Sequence, residues 1–275
     1  MGYVPAAYSK ERRRQERSAE MSDPSKDEPS TKSDLDGLAH ALPDIPRWLY
    51  ARSMLLSGRC EVLGLAEGGP EPQFVARELE ESEDRAICVV GRPPADAIRE
   101  AARRNRDGGD LLTTPEGASH ILGALPGWMA THTTLHLLGD ASRLPRVAGG
   151  EVRPFRASDL AAVADDLPEG LRSELEVALT RDAPAVAALA DGRPVSFCYA
   201  ADETEGLWDI SIDTLGRYRR QGYAARCVSY MVDEMRRRDK EPVWAAEETN
   251  PPSMRLAAKL GFVPVDELLV FRPTA

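Results

Sequence analysis

Three arginines and two glycines fall within the nine residues Gly216-Arg217-Tyr218-Arg219-Arg220-Gln221-Gly222-Tyr223-Ala224. An alternating, strand-like run, Leu207 to Thr214, leads into them. A helix-like run leads out, with Val228, Met231, Val232 and Met235 at i, i+3, i+4 and i+7. The order strand, tight turn, helix suits the binding of a diphosphate. The first turn of a helix offers free N–H groups and a partial positive field. Gly222 lets a ligand approach without a Cβ in the way, and Ala224 is small enough for the same purpose. Arg217, Arg219 and Arg220 add charge in a form fitted to phosphate. The competing reading is a surface turn before an ordinary amphipathic helix. The loop has neither the G-x-G-x-x-G spacing nor the lysine of a P-loop.

Carboxylates stand nearby as proton acceptors: Glu205, Asp209 and Asp213 before the loop, Glu247 and Glu248 after it. Alternation directs Ile210, Ile212 and Thr214 to one side of the strand and Asp209, Ser211 and Asp213 to the other. A β-bulge would change which of them share a face. Each also reads as a solvated acid at a strand end. His132 and His136 share a face in either a strand or a helix, but no third ligand lies near them, so no metal site is expected. Cys60, Cys88, Cys198 and Cys227 show no C-x-x-C spacing, which fits a reducing compartment.

The elements that must position these groups belong to a chain of 275 residues, 42% hydrophobic, with a formal charge of −10. Net acidity argues against non-specific nucleic-acid binding. No apolar run is long enough for a membrane span or a secretion signal, so a cytoplasmic protein is expected. Residues 1–38 are polar and charge-rich, and a disordered tail is expected there. Residues 39–148 read as an α/β accessory domain, with helical residues from Ile45 to Leu56, a turn over 64–72, a strand at 85–90, helices at 94–104 and 115–124, and a strand at 133–138. Gly149-Gly150 marks the boundary to a second unit, 149–275. That unit carries a strand at 152–155, helices near 159–163 and 170–179, and a hairpin around Asp191-Gly192.

The spelling Arg219-x-x-Gly222-x-Ala224 resembles the first signature of the GCN5-related N-acetyltransferase (GNAT) superfamily. Asn250-Pro-Pro-Ser253-Met-Arg-Leu256-Ala257-Ala258-Lys259-Leu260-Gly261-Phe262 resembles its second, N-x-x-[AS]-x-x-L-Y-x-K-x-G-F. The two lie in family order, and the resemblance covers residues 151–273. It implies a mixed α/β fold whose central sheet is splayed and flanked by helices, with residues 39–148 as a companion that is sometimes a degenerate copy. It implies acetyl-CoA as cofactor, its diphosphate on the backbone of Arg219, Arg220, Gln221, Gly222, Tyr223 and Ala224. The pantetheine arm would run along Ile212, Asp213 and Thr214, with Asn250 and Ser253 nearby.

The implied reaction is direct acetyl transfer to an amine, on a small molecule or a protein, by a monomer or homodimer. Counted back from the loop, the resemblance implies Asp209 as the first choice for the base, with Glu247 and Glu248 as alternatives. Asn250 fits two roles: cofactor contact, or N-cap of the last helix ahead of Pro251. The family's signature tyrosine falls at Ala257, which cannot protonate a leaving thiolate; Tyr223 is a substitute. The same gap fits a rival reading, a CoA-binding sensor or scaffold without catalysis.

Overall fold

The computed structural model describes residues 30–66, 72–79, 85–105, 108–148 and 150–274. Residues 1–29 of the expected tail lie outside that set. Its last part corrects the expectation: Lys32–Ala41 forms a helix, α1. Thr31 caps it, its hydroxyl accepting from the Asp34 amide at 3.3 Å while the Asp34 carboxylate accepts from the Thr31 amide at 2.9 Å. Leu35, Ala39 and Leu42 recur at helical spacing and are buried. A stripe this short is easily overlooked among charged neighbours.

The chain continues through α2 (Leu49–Ser57), β1 (Cys60–Ala66), β2 (Gln73–Glu78), β3 (Ile87–Val90), α3 (Ala95–Arg104), β4 (Leu111–Thr113), α4 (Ala118–Ala124) and β5 (Trp128–Leu138). The second half follows as β6 (Val152–Pro154), α5 (Ala157–Val163), α6 (Glu169–Thr180), β7 (Ala185–Ala190), β8 (Arg193–Glu203), β9 (Leu207–Thr214), α7 (Tyr223–Arg236), β10 (Glu241–Glu247), α8 (Pro251–Lys259) and β11 (Phe262–Pro273). The turn expected over 64–72 is partly strand. Gly64 sits within β1 at φ +61, where a Cβ would stand 2.5 Å from the Ala97 side chain of α3. Glycine here permits a close approach of helix to strand.

Among the described residues, eleven strands join one sheet in the order β1-β2-β3-β4-β11-β5-β10-β9-β8-β7-β6. Two neighbouring pairs are parallel, β3 with β4 and β9 with β10; the other pairs are antiparallel. Each parallel pair is joined by a crossover helix, α3 or α7, and is followed by a short helix and a long strand. Those long strands change places. The β11 strand lies between β4 and β5, and β5 lies between β11 and β10. The two halves therefore share one sheet.

Apolar alternation sorts the layers. Trp208 and Ile210 of β9 pack with Val228, Met231 and Val232 of α7 on one face. Leu207, on the other face, joins Leu49 of α2, Leu135 of β5, Val243 of β10 and Leu268 of β11. That second cluster draws on both halves. Arg47 adds a two-pronged bond to Asp266, at 2.8 and 2.7 Å. Among the described residues, no helix is long and apolar enough to cross a membrane.

Leu135 is fully buried where the halves meet. Leu135→Ala is expected to cost about 2–5 kcal/mol. In a denaturant titration, fluorescence and circular dichroism should move together; two separated transitions in the wild type would contradict a shared core.

Candidate active site

The β9 and β10 strands pair for only three residues: Leu207 with Glu241, Trp208 with Pro242, and Asp209 with Val243. Beyond Asp209, β9 stays with β8 as far as Thr214, and β10 stays with β5 as far as Glu247. The two strands thus part while each keeps its outer neighbour. The inner edges of this fork carry backbone groups that a ligand can pair with.

Past the open end of β9 lies the glycine loop. A short 3-10 turn, Gly216–Tyr218, leads to Arg219 in extended conformation, Arg220 at φ +62 and Gly222 at φ +86; α7 then begins at Tyr223. Positive φ at a non-glycine residue costs energy and marks a backbone held for a purpose. At Gly222 the space is open: a Cβ would meet only the Arg226 guanidinium, 4.0 Å away. No side chain caps this helix start, so its first amides remain donors.

The cations around the loop are tied to backbone and aromatic rings rather than to carboxylates. Arg219 Nε donates to the Thr214 carbonyl at 3.0 Å and ties the loop to its strand. Arg217 and Arg226 lie over Tyr218 and Tyr223, 4.9 and 4.7 Å from the ring centroids, and the two rings meet edge-on at 6.0 Å. Among the described residues, Arg217, Arg220 and Arg226 have no carboxylate partner, and Arg226 Nε is buried without a hydrogen bond. Free amides, an open notch and unpaired guanidinium groups fit a diphosphate.

At the closed end of the fork stands Asp209, 8% exposed. Burial, then the charge of Asp202, pushes its carboxyl up to about 7; the Tyr50 hydroxyl and the amides of Ile210 and Ala245 pull the other way. Its Oδ1 is buried with no hydrogen-bond partner. Asp202 is raised to about 6, chiefly by burial, against the bond from Ser53. The other acids are less suited to take a proton. Arg272 donates to both Glu247 oxygens, at 2.6 and 3.1 Å, and holds that carboxyl below its ordinary value. Burial opposes a low value at Glu205, but the Arg52 bonds at 2.9 and 2.7 Å bring it down. Asp213 is raised by burial against the pull of Arg219, and it lies toward the open end. Glu248 accepts from the His132 amide at 3.2 Å.

The remaining expected residues fall as follows. Asn250 caps α8, its side chain accepting from the Ser253 amide at 3.2 Å. Ser253 Oγ accepts from the Trp244 indole at 2.9 Å. Ile212 packs toward α7, while Thr214 Oγ1 meets Ser196 Oγ at 2.7 Å. Tyr223 stands in the first turn of α7, beyond the far end of β9 from Asp209. The structure does not bring these two together. Ala257, on α8, is fully buried in the core that this helix shares with α7.

The GNAT acetyltransferase family model matches residues 181–271, from the end of α6 through both signatures to β11. That stretch supports membership of the GNAT superfamily. A search of the curated proteins finds no match. Solved structures show the same fold at low identity. A GNAT-like protein from Streptococcus suis is 16% identical, with a TM-score of 0.64 over 88% of this chain and 98% of that one. A GNAT from Kribbella flavida is 15% identical, TM-score 0.58, over 83% and 94%. A tandem GNAT protein from the clavulanic acid biosynthesis pathway is 14% identical, TM-score 0.55, over 88% and 96%.

The GNAT-like order of the second half has an echo in the first, but there the fork is shut. Thr113 Oγ1 donates to the Val89 carbonyl at 3.0 Å, from β4 to β3. Trp48 and Tyr50 lie against the same strands and leave only about 10 Å³. The residues that sequence reasoning missed are Tyr50, Ser53, Asp202 and Arg226. The first three reach the site through long-range packing. Arg226 carries a local signal, a cation one turn into the helix behind Gly222.

Arg226→Met should weaken CoA binding about tenfold, the value of one charge-assisted hydrogen bond. Isothermal calorimetry reads this directly; unchanged affinity would place Arg226 outside the cradle. Asp209 also predicts a stability effect. Its folded value lies above its unfolded value, so the stability it contributes is present in acid and is lost as pH rises through about 7. Asp209→Asn should therefore gain on the wild type by a few degrees of Tm between pH 5 and pH 8.

Proposed function

We propose that the protein is an N-acetyltransferase that moves the acetyl group of acetyl-CoA to an amine, with Asp209 as the base. The observation that carries this reading is one fork with a proton-hungry carboxylate at its closed end and an open, cationic helix start at its mouth. Acetyl-CoA supplies an activated acyl thioester. The amides from Arg220 to Ala224, with Arg226 and Arg217, would hold its diphosphate. The free inner edges of β9 and β10 would orient its amide-bearing arm.

Asp209 accepts the proton that an ammonium acceptor must lose before attack. A carboxyl at about 7 is half ionised near neutral pH and strong enough as a base to act there. Its buried, unpartnered Oδ1 leaves one lone-pair face for that proton. The half-buried acids Asp202 and Asp213 add negative potential on the same strand pair, which favours a cationic acceptor.

Ala257 supports the rival reading, a CoA-binding protein without turnover, because it offers no hydroxyl where the second signature has one. A discontinuous assay across a panel of amines separates the two. The expected result is turnover whose kcat/KM rises with pH through about 7. Asp209→Asn should lower the rate by about 10²–10⁴-fold while CoA still binds. Tight CoA binding with no turnover on any amine would favour the rival, and no CoA binding by folded protein would end both.

A further inference from the structure

Helix α2 belongs to the first half of the chain, yet its inner face ends on the carboxylates of the second. Tyr50 and Ser53 are three residues apart and share that face. Ser53 Oγ donates to Asp202 Oδ1 at 2.8 Å and accepts from the Glu203 amide at 3.2 Å. Tyr50 turns its hydroxyl to Asp209. The β8 strand is irregular at the same point. Ala200 pairs with Ile210 and Glu203 with Trp208, so Ala201 and Asp202 together oppose the single residue Asp209. A bulge of this kind re-aims side chains and is common beside active sites. Here it sets a second carboxylate beside the first, under α2.

We propose that Asp202, anchored by Ser53 and set beside Asp209 by the bulge, is a positioning residue for the base, so that the first half of the chain completes the active site through α2. This rests on the reading of Asp209 as the base. A buried carboxylate and a half-buried one side by side do not ionise independently; they titrate as a pair and share a proton over part of the pH range. Asp202 thus discourages early ionisation of Asp209, and the Tyr50 hydroxyl favours the ionised form. The groups facing the pair come from several elements: Tyr50 and Ser53 from α2, Glu78 from β2, Cys88 from β3, and Cys198 from β8. Arg59 and Arg181, just past α2 and α6, face Asp202. Balanced in this way, Asp209 responds to any change in α2 or in the bulge.

The test is carboxyl-carbon NMR of the full chain without cofactor or acceptor, with Asp209→Asn identifying the Asp209 signal. Asp202→Asn should lower the Asp209 midpoint by about one pH unit. Tyr50→Phe should raise it. Ser53→Ala keeps Asp202 but removes the bond that favours its charged form. It should move the Asp209 midpoint downward by a smaller step, and it serves where Asp202→Asn does not fold. In each variant the acid limb of kcat/KM should follow the NMR midpoint. A midpoint that stays put in Asp202→Asn and Ser53→Ala, or shifts the same way in Tyr50→Phe, overturns the pairing whatever the activity. A fully active Asp209→Asn enzyme overturns the base assignment, and the positioning role with it, while leaving the titrations readable.

Discussion

Two parallel strands that separate after three residue pairs leave facing backbone edges with no ladder between them, and much of this molecule serves to hold that gap. The outer neighbours, β8 for β9 and β5 for β10, keep each strand straight where the inner ladder ends. Asp209 sits at the last paired position, and its carboxyl takes the amide of Ala245 on the opposite strand. One residue thus closes the fork at its apex and carries its most basic carboxylate. The cost is a buried, partly unsatisfied acid. Such costs are tolerated where chemistry requires them.

Strand exchange explains how a gap in the middle of a sheet can be stable. Separating β9 from β10 weakens the sheet at its centre, yet β5 from the other half flanks β10 and pairs along nearly all of β11. The cluster of Leu49, Leu135, Leu207, Val243 and Leu268 lies just beneath the apex and includes residues from both halves. Ion pairs cross as well: Arg272 binds Asp110 and Glu247, joining β11, the residue before β4 and the mouth of the fork. Glu247 is thereby committed to structure, which separates it chemically from Asp209 although both lie along the same opening.

Local features of the site were legible in the sequence, and non-local ones were not. The glycine loop, the helix behind it and the cap at Asn250 depend on neighbours in the chain, so their spelling suffices. Alternation alone placed Asp209 opposite Ile210 and Ile212, as the burial of the two isoleucines against α7 bears out. Asp202 could not be found this way. Its place depends on a one-residue slip between β8 and β9, which no spacing rule announces. Tyr50 and Ser53 read as positions on an amphipathic helix, and nothing local says which carboxylates lie below. Gly64 misled in the opposite sense, since a glycine that admits a helix looks in sequence like one that makes a turn.

The contrast between the two parallel pairs argues that opening, rather than topology, is what confers a site. Both pairs have a crossover helix on the same face, a short helix after them and a long exchanged strand. At β3 and β4 the Thr113 hydroxyl bridges to Val89, and the residue before α3 is Pro94, which offers no amide. At β9 and β10 the equivalent place has a carboxylate wedge and a glycine-led helix with free donors. The closed pair still contributes, because Trp48 and Tyr50, which help fill it, belong to the stretch whose next turn reaches the carboxylates of the open one. On the reading proposed above, the half with the closed pair sets the proton affinity of its neighbour's base. Selection on the two halves would then act on different properties: donor geometry in one, and the packing of a single helix in the other.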